Sequence, residues 1–164
     1  MEVVALAEDQ WPRWRLLRRA ALAQAPEAFG STLAQWSGAN DTEERWRGRW
    51  VGVPHNLVVV RDGVDVGMAS LTMPDGAAPP ELISMWVAPA ARGTGVADAA
   101  VEAVLGLAAE VYPGRVVALS VREANAAARR LYARHGFVDA GPSPDSRCEL
   151  WMVHEPVGPP AVDH

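Results

Sequence analysis

Apolar and polar positions along this chain change period several times, and each change marks an element. Residues 3–6 are a short apolar run that reads as a first strand. Over residues 9–24, Trp14, Leu17, Ala21 and Leu22 recur at helical spacing with arginines on the other faces, and Pro26 stops the helix this predicts. "PEAFGST" is a loop. Asp41 and Glu44 match a capping box, so a second helix is expected to begin at Asp41, with Trp46 and Trp50 one turn apart. "NLVVVRDGVDVGMASLTM" predicts a hairpin about an Asp62-Gly63 turn. After the loop "PDGAAPP" come a strand over 81–87, a helix over 95–110 and a strand over 116–121. A helix over 125–135 is closed by Gly136, and strands are expected near 137–140 and 147–154. The pattern is that of an α/β (α+β) domain over residues 1–154, with a mixed, twisted sheet of about seven strands flanked by about four helices. The Pro/Gly-rich tail, 155–164, is expected to be disordered.

In such a sheet a ligand is expected outside the carboxyl ends of the strands. The turns at 88–97 and 122–125 both lie at such ends and can share one crevice. The first turn belongs to "WVAPAARGTGVADAAVEAVLGLAAE", residues 86–110, and three readings compete for its Arg92-Gly93-Thr94-Gly95. One is a bare turn that exploits glycine's freedom. Another is a dinucleotide fingerprint, but Asp98 stands where the third glycine belongs and the next strand, "ALSV", ends without an acid. The third is a pyrophosphate seat. First-turn amides of a helix are unpaired and carry the positive end of its dipole. Gly93 and Gly95 would let the backbone approach a phosphate, small Ala97 would leave room, and Arg92 would add a full charge.

Composition narrows the partners. A length of 164 residues fits one domain, and 49% apolar with 21% charged residues is ordinary for a globular protein. A formal charge of −5 argues against nucleic acid as the partner and mildly favours a cationic substrate. All 15 basic residues are arginine, which excludes Schiff-base chemistry and a Walker lysine. Cys148 stands alone, so no internal disulfide can form; it reads as a small buried hydrophobe on a late strand. The acidic start at Glu2 and the lack of a long apolar run predict no secretory leader and no membrane span, hence a cytoplasmic protein. His55, His135, His154 and His164 show no ligand spacing, and no metal is expected.

The second turn leads into "VREANAAARRLYARHGF". Asn125, Ala128 or Arg129, and Tyr132 share one helix face at i, i+3/i+4, i+7 spacing, an odd mixture for a core stripe. Taken alone, a capping Asn and a core Tyr would explain it. Joined to the loop, however, the two blocks resemble the GNAT superfamily of acetyl-CoA-dependent N-acetyltransferases. Residues 92–97 fit that family's Gln/Arg-x-x-Gly-x-Gly/Ala signature, and residues 125–137 fit its Asn-x-x-Ala-x-x-x-Tyr-x-x-x-Gly-Phe segment.

The resemblance implies an acetyltransferase that uses acetyl-CoA to modify a small-molecule or peptide amine by direct transfer; dimers are common among such proteins. It implies that Arg92, Gly93, Thr94, Gly95, Val96 and Ala97 hold the pyrophosphate. Backbone groups at Trp86 and Val87 would pair with pantetheine, and Asn125 and Ala128 would flank it. Tyr132 would protonate the departing sulfur. One branch of the family carries its base five residues before the asparagine, where this chain has Ser120, which excludes it. Another carries a glutamate eleven residues before the loop, where this chain has Glu81, making Glu81 the candidate base, directly or through water. Phe29, Trp36 and Trp46 are the candidates for the acceptor pocket. The rival from another class is a non-catalytic acyl-CoA-binding regulatory module.

Overall fold

Leu57-Val58-Val59 is apolar without alternation, as a strand covered on both faces must be. The computed structural model, which describes residues 1–29, 31–145 and 148–156, places it at the centre of β2 (His55–Arg61). Flanking it are β1 (Glu2–Leu6) and β3 (Val64–Leu71), and β4 (Leu82–Val87) completes an antiparallel sheet in the order β1-β2-β3-β4. Leu57 and Val59 pack with Val101 and Val104 of α3 (Val96–Val111) on one face. Val58 and Met68 pack on the other face with Trp14 and Leu17 of α1 (Trp11–Gln24) and with Trp46 of α2 (Glu43–Gly52). Trp14 and Trp46 are fully buried. At about 25 cal/mol per Å² and roughly 150–250 Å² per aromatic, each contributes several kcal/mol to that layer.

β2 and β3 form the expected hairpin, with Asp62 (φ 51°) and Gly63 (φ 75°) both left-handed as a type I′ turn requires. A second sheet holds β5 (Val117–Arg122), β7 (Glu149–His154) and β6 (Val138–Pro142) in the order β5-β7-β6, also antiparallel. α4 (Ala126–Arg134) follows β5 and is closed by Gly136 at φ 91°.

Four expectations need correction or restriction. The strands form two antiparallel sheets rather than one mixed sheet. A single parallel bridge, Glu81 to Ala118, joins them, with the Ala118 amide donating to Pro80 O at 3.0 Å. The second helix begins at Glu43, not Asp41. Thr42 Oγ1 accepts from the Arg45 amide as its cap, because the Asp41 carboxylate is taken by Arg15, Arg19 and Trp46 Nε1. Cys148 is exposed, since it lies in the turn before β7 rather than on a strand. The expectation for the tail falls, from residue 157 on, outside the described residues. Among the described residues no helix is long and apolar enough to cross a membrane.

Candidate active site: a cleft between two diverging strands

β4 and β5 start side by side at the Glu81–Ala118 bridge and then separate. The cause lies in β4. Its ladder with β3 runs Met68 to Trp86 and then Ser70 to Ile83, so Ser84 and Met85 together oppose Ala69 as a bulge. Ser84 sits at φ 55°, a left-handed conformation rare for a non-glycine residue. A bulge bends its strand and sharpens the twist, which carries the far end of β4 away from β5. The result is a cavity of about 700 Å³. β4 forms one wall and β5 with α4 the other, while the turn into α3 and the loop after α1 close the ends.

Most sequence-nominated residues converge here. Trp86, Val87, Arg92, Gly93, Gly95, Ala97, Asn125, Ala128 and Tyr132 line the cleft. Ala128 rather than Arg129 completes the α4 face; Arg129 turns to Asp139 at 3.5 Å. Gly95 caps α3 at φ 86° with no side-chain bond to the first-turn amides, which leaves those donors for a ligand. Two loop residues do not reach the cleft. Val96 is core, and Thr94 Oγ1 donates to Ala91 O and accepts from Arg61 Nη1 at 2.7 Å. Arg92 lays its guanidinium on Val87 O (3.3 Å) and Gln24 Oε1 (2.9 Å), and Trp86 Nε1 donates to the same Gln24 oxygen at 2.9 Å.

Of the acceptor-side aromatics only Phe29 lines the cleft. Trp36 and Trp46 stack behind it with centroids 4.5 Å apart, and Trp46 is wholly enclosed. Their spacing could nominate them, but only tertiary packing decides which ring reaches a wall.

Tyr132 is 7% exposed, edge-on to Phe137, and burial pushes its hydroxyl up to about 12. Asn125 caps α4, its Oδ1 accepting from the Ala128 amide at 3.1 Å, which leaves the side-chain NH2 for a ligand. Glu81 is not among the residues lining the cleft; it sits at the bridge to Ala118 where β4 and β5 meet. Burial, and then Asp145, raises its carboxyl above the ordinary value.

Several cleft or loop residues carry no motif and escaped the sequence: Gln24, Arg61, the Ser84 bulge and Glu149. Asp98 was visible only as an obstacle to a dinucleotide site. Its carboxylate receives His135 Nε2 at 2.7 Å and Arg134 Nη2 at 2.8 Å, and those bonds, His135's first, hold it below the usual carboxylate range. An acid that would repel a phosphate is thereby answered by Arg134 of α4 and by His135 just past its end.

Fold and cleft together give a groove in which the edge of β4 leads to the N-terminus of α3. The family model described as "Acetyltransferase (GNAT) family" matches residues 5–137. The chain belongs to that family and is an acyltransferase. No curated protein matches it in sequence. Among solved structures it is similar to yncA of Salmonella typhimurium, determined with its cofactor acetyl-CoA (TM-score 0.73, 19% identity, 99% of this chain and 98% of that one). It is also similar to the ribosomal-protein-alanine N-acetyltransferase of Brucella melitensis (TM-score 0.67, 24% identity, 94% and 99%). A third is the PaiA N-acetyltransferase of Thermoplasma acidophilum in complex with coenzyme A (TM-score 0.68, 13% identity, 94% and 99%). At these identities the likeness is one of fold.

Proposed function

We propose that this acyltransferase is an N-acetyltransferase moving an acetyl group from acetyl-CoA to a primary amine within a ternary complex. One observation carries the reading: the unladdered edge of β4 leads to the uncapped amides of α3 at Gly95. A pantetheine arm can pair with such an edge as an added strand, and a diphosphate can accept from such amides. The donor set therefore fits coenzyme A. Backbone groups at Trp86 and Val87 would hold the arm, with Asn125 and Ala128 across from them. Residues 92–97 would hold the diphosphate, Gly93, Gly95 and Ala97 at the surface and Thr94 and Val96 by shaping the turn.

Bound acetyl-CoA supplies an electrophilic thioester carbonyl and a thiolate leaving group. The protein's part is to orient and to move protons. Tyr132 keeps its proton at neutral pH and lies in the cleft wall, which suits it to protonate the departing sulfur. Glu81, raised by burial, would draw the proton from the acceptor amine through a water, since it is not among the lining residues. Phe29 borders the acceptor end, and Trp36 and Trp46 brace it from behind.

The test is thiol release from acetyl-CoA across a panel of amines, beside calorimetry with CoA. Turnover on at least one amine, lowered in Tyr132→Phe with CoA affinity kept, is the expected outcome. CoA binding without turnover on any amine would mark a regulatory module instead, and no CoA binding would end the reading.

A further inference from the structure

The Phe29 side of the cleft is backed by two guanidinium groups that, among the described residues, pair with no acid. Arg18, one turn beyond Trp14 on α1, is 5% exposed. Its Nε and Nη1 are buried without a hydrogen-bond partner, as is Trp14 Nε1 beside it. Its guanidinium lies over the Phe29 ring, 4.6 Å from the centroid, and Phe29 is a wall of the cleft. Arg49 of α2 lies 4.9 Å over Trp14. It donates to Asn56 Oδ1 (3.0 Å), Ser70 Oγ (3.1 Å) and Ser84 Oγ (2.9 Å), and Ser84 is the bulge residue lining the cleft. Burial pushes Arg18 down to about 10; burial and then Arg18 itself push Arg49 down to about 9. Both remain charged at neutral pH.

Among the described residues no acid pairs with either guanidinium: Glu27, beside Phe29, and Glu44 of α2 face solvent, and the others nearby have partners of their own. α1 contains none; Asp41 binds Arg15 and Arg19, while Glu8 and Glu43 bind Arg47. On β2, β3 and β4 the groups that meet Arg49 are Asn56, Ser70 and Ser84, while Asp65 of β3 is held by Arg13 at 2.6 Å. A buried cation without a counter-charge is among the most costly arrangements in a folded chain, and unpaired buried donors add to that cost. An oxyanion brought by a ligand would relieve both, and a guanidinium fork suits a carboxylate or phosphate.

We propose that the acyl acceptor is a small molecule bearing both the amine and an oxyanion, an amino acid above all, with the oxyanion drawn to the Phe29–Ser84 stretch of wall that Arg18 and Arg49 back from outside the lining. This deepens the acetyltransferase reading and reverses the expectation of a cationic substrate drawn from net charge. Arg18 and Arg49 put two positive charges behind the Phe29 side of the cleft although the chain as a whole is acidic. Polyamines and peptide lysines, which bring positive charge and no anion, would meet repulsion there.

The test uses the protein saturated with CoA, so that acceptor binding is read without turnover. Calorimetry and thermal shift compare free amino acids, their carboxamides, aminoalkylphosphonates and polyamines. At least one amino acid or aminophosphonate is expected to bind, with its uncharged counterpart at least about 10-fold weaker; the two arms separate carboxylate from phosphonate. Arg18→Met should remove that discrimination while CoA affinity stays within about twofold, and should raise the Tm of the unliganded protein by removing an unanswered charge. Equal binding of carboxamides or polyamines overturns the proposal in the wild-type protein alone, whether or not the variant folds. Carboxylate-dependent binding without acetyl transfer would keep it while sinking the transfer reading. Transfer only to amines without an anion would do the reverse.

Discussion

At the scale of single residues, the environments of Tyr132 and Glu81, the acid and base of the proposed mechanism, push both groups toward the protonated form. With the Tyr132 hydroxyl held up to about 12, its ionisation imposes no alkaline fall in kcat across the pH range of ordinary assays. Tyr132→Phe should lower kcat by about 10²-fold or more with little change in the KM for acetyl-CoA, read from steady-state kinetics. Glu81 works in the opposite sense, because a base must be ionised. Activity should rise with pH through a value above the ordinary carboxylate range, and Glu81→Gln should flatten that acid limb. An unchanged limb in the variant would remove Glu81 from the mechanism and turn attention to Glu149 on the cleft wall. Stability follows the sign of the shift. A carboxyl raised in the folded state favours folding below its unfolded value and opposes it as pH climbs through the folded one. Glu81→Gln is therefore expected to stabilise the protein at neutral pH, as a chemical denaturation series would show.

Elements place those residues, and their close approaches are where the site is most easily spoiled. At Gly67 on β3 an added Cβ would meet Val96 Cγ1 at 2.7 Å and Trp86 O at 3.3 Å. Val96 is β-branched, buried and the first residue of α3, so it has little room to turn away. Gly67→Ala should cost about 1–3 kcal/mol in urea denaturation. By displacing the start of α3 it should also weaken CoA, and Val96→Ala in the same chain should restore both. Local signals served the helices well. Asn125 and Gly136 bracket α4 because a cap and a left-handed stop act on their own neighbours. The signal failed at α2, where Asp41 has the right residue type but spends its oxygens on arginines of α1 some 26 residues away. Thr42, next along, caps instead. The parting of β4 from β5 was not legible either, since it follows from a bulge at a serine whose neighbours give no compositional hint.

For the whole molecule, the cleft is the seam between two sheets, and its occupancy should be felt on both sides. CoA at 100 times its Kd is expected to add about 2.7 kcal/mol to the unfolding free energy. Hydrogen exchange should slow along β4 and β5 together; protection confined to the turn at 92–97 would mean that the phosphates alone are held. Motif residues of the donor side were readable because helix ends and glycine turns impose their chemistry at fixed spacing. The acceptor side was not, because Arg18, Arg49 and Phe29 meet only after α1, α2 and the loop between them have packed. The lone rung between Glu81 and Ala118 has a kinetic corollary. Beyond it, among the described residues, no backbone bridge spans the gap, so in the proposed reaction the nucleotide-bearing substrate would lay that floor before the amine has anywhere to rest. Initial rates should show compulsory order: CoA competitive against acetyl-CoA, and a dead-end amine analogue uncompetitive against it.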